Sequence, residues 1–291
     1  MIAGLAILLA LGATPQCQFG VGRLGPVLGD ADLIELSGLV ASRAHPGVLY
    51  AHNDSGDTAR FFAMDTAARP LGRFVLEGAT ARDWEDIALG PCPAGTCVYL
   101  GDIGDNRRLR TDYGVYRVKE PAVDVSKPLG TLTVAWERFA YQYPDGEKNN
   151  AETLLVHPVS GELYVITKQA AGVPSRVFKF PMPLDPTKTA TLLKVTDLKL
   201  PERSDQALTA GDLSPDGTAL LLRMYNRMVE LKLPPGADFE KIFTAEAVTV
   251  PVAPEVQGEA VAWRADGRGY YTSSEEAHGV KPTLDSVECQ P

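Results

Sequence analysis

Five segments of this chain share one form, and recurrence at this period restricts the fold more than any other feature of the sequence. They are SGLVASRAHPGVLYAHNDSGD from Ser37, EDIALGPCPAGTCVYLGDIGDN from Glu85, ETLLVHPVSGELYVITKQ from Glu152, TAGDLSPDGTALLLRMYN from Thr209 and EAVAWRADGRGYYTSSEE from Glu259. Each runs from a polar or acidic residue through a short apolar strand and a Gly-containing turn into a second strand. The turns HPG, PAG, VSG, PDG and ADG all suit tight hairpins. Strand-like stretches follow the first four hairpins: ARFFAMD and LGRFVLEG, YGVYRVKEP and LTVAWERFAYQYP, SRVFKFPMP and TATLLKVTDLKLP, NRMVELKLPP and EKIFTAEAVTVPV. Two strands plus two more make the four-stranded antiparallel blade of a β-propeller. No long stretch carries apolar residues at helical period, although GADFEKIF suffices for one turn. The expected class is therefore all-β, a β-propeller of five blades. The repeat starts lie farther apart than the about 40 to 45 residues of a common blade, so a sixth blade, in residues 120–150 or 185–208, is the alternative.

The fifth repeat lacks an outer strand. After it, KPTLDSVECQP supplies one strand, and VGRLGPVLGD, residues 21–30, is the candidate for the other. A ring closed by an N-terminal strand removes free sheet edges. Cys92 and Cys97 flank the PAGT turn and can clip a hairpin. Cys17 and Cys289 are then left, and ring closure brings them to the same end of the last blade. Zinc is the rival use of four cysteines, but no His lies in step with them. An even cysteine count suits an exported chain. The segment MIAGLAILLALGATPQC holds about a dozen uninterrupted apolar residues, which matches the core of a secretory signal even without a basic leader. It falls short of the ~20 residues of a membrane span, and no other segment approaches that length. Residues 1–16 thus read as a signal peptide and 17–291 as one propeller domain, secreted or periplasmic; a buried N-terminal strand or helix is the alternative. Thr14-Pro15-Gln16 lacks the small residue that lipidation needs before Cys17.

The charge balance is acidic, 28 Lys and Arg against 37 Asp and Glu. With no basic block, nucleic acid and anionic membranes are poor partners. Cations or a small-molecule or glycan ligand suit such a chain better, and a monomer is expected. Blade topology then places the polar residues. Ser37, Glu85, Glu152, Thr209 and Glu259 begin the innermost strands and should ring the mouth of the central channel. The ends of the second strands bring His52–Asp57, Gly101–Asn106, Lys168-Gln169, Tyr225-Asn226 and Glu275-Glu276 to the same face, while His45 and His157 go to the other.

Like charges held close in a partly dry site repel strongly, and a bound cation relieves them. Calcium accepts six to eight oxygen ligands in flexible geometry, so it is the expected ion, with Glu85, Glu152, Glu259, Ser37 and Thr209 as ligands. Protonation of one carboxyl for acid–base work is a second solution, and strand capping or pairing with an Arg such as Arg82 a third. His52, Asp83 and Asp86 are the candidate bases. Asn53, Asp54, Asp102, Asp105, Asn106 and Arg107 are the candidate substrate contacts. GDIGDN lacks the register of a calcium loop, and Asx turns account for it comparably well. Trp84, in ARDWEDIALG, reads as a packing element between blades. Nucleotide-binding loops and the G-x-S-x-G elbow are missing.

The stretch ELSGLVAS…GVLYAHNDSGD…RFFAMDTAARPLGRFVLEG…DWEDIALG, with QGEAVAWRADGRGYYTSSE later, resembles the secreted propellers grouped as SdiA-regulated and esterase-like-phytase domains. The likeness runs over most of the chain from about residue 33, through short and degenerate motifs. It implies export and cation binding at Glu85, Glu152 and Glu259. The wider superfamily includes calcium-dependent lactonases and phosphoesterases. The expected function is a calcium-binding propeller that hydrolyses small esters or phosphate esters. The alternatives are a non-enzymatic protein- or glycan-binding propeller with structural calcium, and a carboxylate-pair glycosidase.

Overall fold

A computed structural model describes residues 17–170, 172–198, 200 and 207–290. The expected signal peptide lies outside the described residues. Five blades form a closed ring. Blade 1 is Leu36–Ala41, Val48–Asn53, Arg60–Asp65 and Pro70–Val75. Blade 2 is Trp84–Cys92, Gly95–Asp102, Gly114–Lys119 and Trp136–Gln142. Blade 3 is Ala151–Val156, Leu163–Thr167, Arg176–Lys179 and Leu193–Asp197. Blade 4 is Leu208–Leu213, Ala219–Met224, Arg227–Lys232 and Ala247–Val250. Blade 5 is Gly258–Trp263, Gly269–Ser274 and Asp285–Gln290, completed by Gln18–Phe19.

The five repeats are therefore the inner hairpins of five blades. Each hairpin turn carries a glycine at positive φ: Gly47, Gly95, Gly161, Gly217 and Gly267. A side chain would strain that backbone, which explains why the turn signal recurs. Both faces of each blade pack against neighbours, so in blades 1, 3, 4 and 5 the two inner strands are buried along their whole length. Apolar clusters fill the blade interfaces. Val40, Tyr50 and Phe74 meet Ile87 and Leu100 between blades 1 and 2, for example, and Leu155 and Ile166 meet Leu220 and Leu222 between blades 3 and 4.

Among the described residues the long connectors build no sixth blade; they protect outer edges. LTVAWERFAYQYP divides into Thr131–Thr133, which pairs in parallel with the edge of blade 1, and Trp136–Gln142, the outer strand of blade 2. TATLLKVTDLKLP divides likewise, and Ala190–Thr191 pairs with the edge of blade 2. GADFEKIF contributes to a 3₁₀ helix, Phe239–Thr244. The closing strand also differs from expectation. It is Gln18–Phe19, paired with Gln290 and Cys289, and residues 21–30 add only isolated bridges at Arg23 and Val27. Phe19 then packs 4.9 Å from the Tyr270 ring, which anchors so short a strand.

Both expected disulfides form, Cys92–Cys97 and Cys17–Cys289. The second joins the closing strand to its partner across a separation of 272 residues.

Each innermost strand has no strand beyond it on the axial side. Two buried carboxylates accept from backbone N–H groups there. Asp86 Oδ1 accepts from Ile87 N at 2.9 Å, and Asp86 Oδ2 accepts from Leu154 N of blade 3 at 2.8 Å. The Gly211 backbone of blade 4 also donates to Asp86. Asp212 Oδ2 accepts from Trp263 N of blade 5 at 2.7 Å. Arg43 reaches from blade 1 to the Leu213 carbonyl of blade 4, 3.3 Å away. These groups plug the axis.

Two stability outcomes are expected. Replacing Cys17 and Cys289 by Ser should lower unfolding free energy by about 3 to 5 kcal/mol in denaturant titrations, and the Cys92–Cys97 pair, closing a short loop, should matter less. Asp86→Ala leaves buried N–H groups without acceptors and should cost at least about 2 kcal/mol by the same measurement.

Candidate metal centre

The start of every innermost strand is bulged. The pairing register skips one residue between Leu36 and Gly38, Trp84 and Asp86, Ala151 and Thr153, Leu208 and Ala210, and Gly258 and Ala260. The skipped residues are Ser37, Glu85, Glu152, Thr209 and Glu259, the five repeat positions. A bulge frees a residue from the pleat and re-aims its side chain.

The five then divide by chemistry. Ser37 Oγ donates to the Glu85 carbonyl at 2.8 Å, and Thr209 Oγ1 donates to the Gly258 carbonyl at 2.9 Å. These hydroxyls staple one blade to the next. The three glutamates are buried and gather, with Glu85 in electrostatic contact with Glu152, and Glu152 with Glu259.

Asp54, Asp83 and Glu85 come closest together. One carboxylate oxygen from each lies within 4.8 Å of the other two. Asp54 follows the second strand of blade 1, and Asp83 precedes the first strand of blade 2. Gly104 backs the trio, since a Cβ there would collide with the Glu85 and Asp83 carboxylates. Gly104 N also donates to the Asp83 carbonyl at 3.1 Å.

The GDIGDN loop is scaffold around this trio. Asp102 is buried against Arg110, 2.6 Å away, and accepts from Asp83 N at 3.1 Å. Asp105 accepts from Leu109 N, Arg110 N and the Tyr113 hydroxyl. Its own N–H donates to Asn150 Oδ1 at 2.6 Å. Asn150 Nδ2 in turn reaches Asn106 Oδ1 at 3.1 Å and Glu152 Oε1 at 3.2 Å. Arg107 is exposed. Asn53 serves its own loop, bonding Asp32 O, Asp57 Oδ2 and Glu35 N.

His52 stands apart from the carboxylates. It is fully buried beside Gly38, with its ring 5.9 Å from Trp84 and Nδ1 2.7 Å from the Asn53 carbonyl. Burial pushes its pKa down to about 4, so the imidazole is uncharged at neutral pH. Trp84 packs between His52 and Tyr116 in the interface of blades 1 and 2.

Lys168 is the cation of the mouth. Its Nζ lies 2.5 Å from Glu152 Oε2 and 2.8 Å from the Tyr225 hydroxyl, 4.8 Å from the centre of that ring. Opposite stands Gln257, which donates to Glu259 at 3.1 Å and to Glu275. The spacing of the repeats put Lys168 and Tyr225 on this face, but nothing in the sequence pairs them with Glu152.

The carboxyls bear the cost of crowding. Burial, then Glu152, Asp54 and Asp83, hold the Glu85 carboxyl well above the ordinary range. Burial and then Asp54 push Asp83 up to about 6. Burial raises Glu152 to about 7 although Lys168 pulls it down. Burial and then Glu152 raise Glu259 to about 9. An oxygen-only set of this kind has the donor chemistry of a hard cation site.

No protein-family profile matches the chain, and neither does any curated protein. Solved structures do. One is a putative 6-phosphogluconolactonase from Bacteroides uniformis ATCC 8492, 14% identical, with a TM-score of 0.40 over 82% of this chain. The chain spans 64% of that protein's length. The WD40 repeats of RRP9 are 7% identical, with a TM-score of 0.45 over 92% of this chain and 100% of that one. Kuenenia stuttgartiensis hydrazine synthase is 11% identical, with a TM-score of 0.43 over 88% of this chain and 71% of that one. The sheet order itself makes this chain a five-bladed β-propeller.

A carboxyl whose pKa is higher in the folded than in the unfolded chain costs stability as pH rises between the two values. Glu152, Glu259, Asp212 and Glu255, raised to about 7, 9, 7 and 7, all act this way. His52 opposes them only below its ordinary value of 6.5. In chelator, the melting temperature should therefore fall from pH 6.5 to 9, and calcium should flatten the slope. A flat profile in chelator would remove the basis for a strained mouth.

Proposed function

We propose that this is an exported propeller that holds a hard divalent cation, calcium foremost, at Asp54, Asp83 and Glu85, and uses it to hydrolyse a small ester or phosphate ester. The observation that carries the reading is the convergence of these three carboxylates within 4.8 Å. The flexible, all-oxygen donor set favours calcium over magnesium, which demands a tight octahedron. Bound there, the cation would supply Lewis-acid polarisation of a substrate oxygen. The chain's own groups do the rest. Gly104 leaves room for the Glu85 and Asp83 carboxylates, and the Arg110–Asp102 pair fixes the backbone of Asp83. Ser37 and Thr209 remain blade staples in this reading, and Glu259 lies outside the trio.

The two disulfides support export, since such bonds persist in oxidising compartments. The resemblance to SdiA-regulated and esterase-like-phytase domains points the same way. Of the ester classes, small neutral esters suit this mouth better than polyphosphates. Arg110, the buried member of the basic run after GDIGDN, is already spent on Asp102.

Calorimetric titration with calcium tests the reading. Wild-type protein should bind one ion, and Glu85→Gln or Asp83→Asn should weaken it by roughly tenfold or more, about 1.4 kcal/mol per decade. Gly104→Ala should do the same by displacing both carboxylates. Unchanged affinity in all three variants would remove the site from Asp54, Asp83 and Glu85.

A further inference from the structure

We infer that Glu152 is the general base of this mouth and Lys168 its positioning residue, a role that rests on the hydrolase reading above. Glu152 is not one of the three carboxylates that converge at Asp54. It is their neighbour: it holds in blade 3 the bulge position that Glu85 holds in blade 2, on the adjoining innermost strand. It is also the carboxylate most firmly oriented at the mouth. Lys168 Nζ holds Oε2 at 2.5 Å, and Asn150 Nδ2 holds Oε1 at 3.2 Å. Both partners are themselves fixed. The Tyr225 hydroxyl and ring hold Lys168, and Asp105 N and Asn106 hold Asn150.

A carboxylate offers about four lone-pair positions, and here two are used, so two remain for water. The other candidate bases lack this freedom. The Asp86 carboxyl is turned into the axis among backbone groups of blades 2, 3 and 4, His52 is buried against Trp84, and Asp83 belongs to the cation trio. A base held by a third group is the arrangement that nucleophile activation needs.

In the step, Glu152 takes a proton from water as the water oxygen bonds to the acyl carbon, and the carbonyl π pair moves onto its oxygen. When that pair returns, the bond to the leaving alcohol breaks. The proton on Glu152 passes to the departing oxygen, which restores the carboxylate.

The test combines calcium calorimetry on the full chain with turnover of p-nitrophenyl acetate, δ-valerolactone and p-nitrophenyl phosphate in calcium. Glu152→Gln should keep calcium affinity within roughly threefold of wild type and lose about 10² to 10⁴ in kcat. Lys168→Met should lower kcat with little change in KM, and Lys168→Arg should restore part of it. A merely structural lysine would move the melting temperature and leave kcat alone. Kept turnover in Glu152→Gln overturns the base. Loss of calcium affinity in Glu152→Gln as deep as in Glu85→Gln overturns it too, by making Glu152 a ligand. If wild-type protein binds calcium but turns over none of the three substrates, the hydrolase reading falls and the base with it, while the cation site stands.

Discussion

The inner edge of every blade ends at the axis with no strand beyond it, and the rest of the molecule is arranged around that fact. Buried N–H groups without acceptors cost free energy, so a ring with a dry axis needs acceptors there. Five blades leave an axis narrow enough for the innermost strand of blade 4 to approach those of blades 1 and 2. Single side chains can then span it. Asp86 serves backbone groups of blades 2, 3 and 4, Asp212 those of blade 5, and Arg43 ties blade 1 to blade 4. These bonds tie the blades together across the axis.

At the mouth the same convergence works against the fold. Bulges aim one residue per blade at a shared space, and in three blades that residue is a glutamate. The chain manages the conflict unevenly. Lys168 neutralises Glu152, and amide groups of Asn150 and Gln257 soften Glu152 and Glu259. Asp54, Asp83 and Glu85 receive no such partner among the described residues, although Arg110 stands behind Asp102 nearby. Gly104 and the GDIGDN scaffold hold these carboxyls close together, and burial and then that crowding raise the Asp83 and Glu85 pKa values.

Much of this was legible in the chain. Hairpin turns and strand alternation are local, so the five repeats revealed the blades, the glutamate register and the face to which it points. The Cys92–Cys97 clip followed from a four-residue turn, and Cys17–Cys289 from ring closure. The closing strand was harder. Gln18–Phe19 is too short to show a period, and it is held by the disulfide and by Phe19 against Tyr270. LTVAWERFAYQYP reads as one strand because apolar period does not record where a chain passes from the edge of one blade to that of the next.

The division of labour among the carboxyls belongs to the tertiary structure. By sequence alone, Glu85, Glu152 and Glu259 are equivalent, and Asp83 and Asp86 lie only three positions apart. Blade angle decides that Glu85 joins Asp54 and Asp83, that Glu152 meets Lys168, and that Asp86 turns into the axis. Sequence showed five recurrent hairpins and the side chain that opens each, because pairing within a hairpin depends on near neighbours; it left a sixth blade open, and the closed ring decided for five. Which charges touch depends on residues brought together from different blades, and only the closed ring sets those distances.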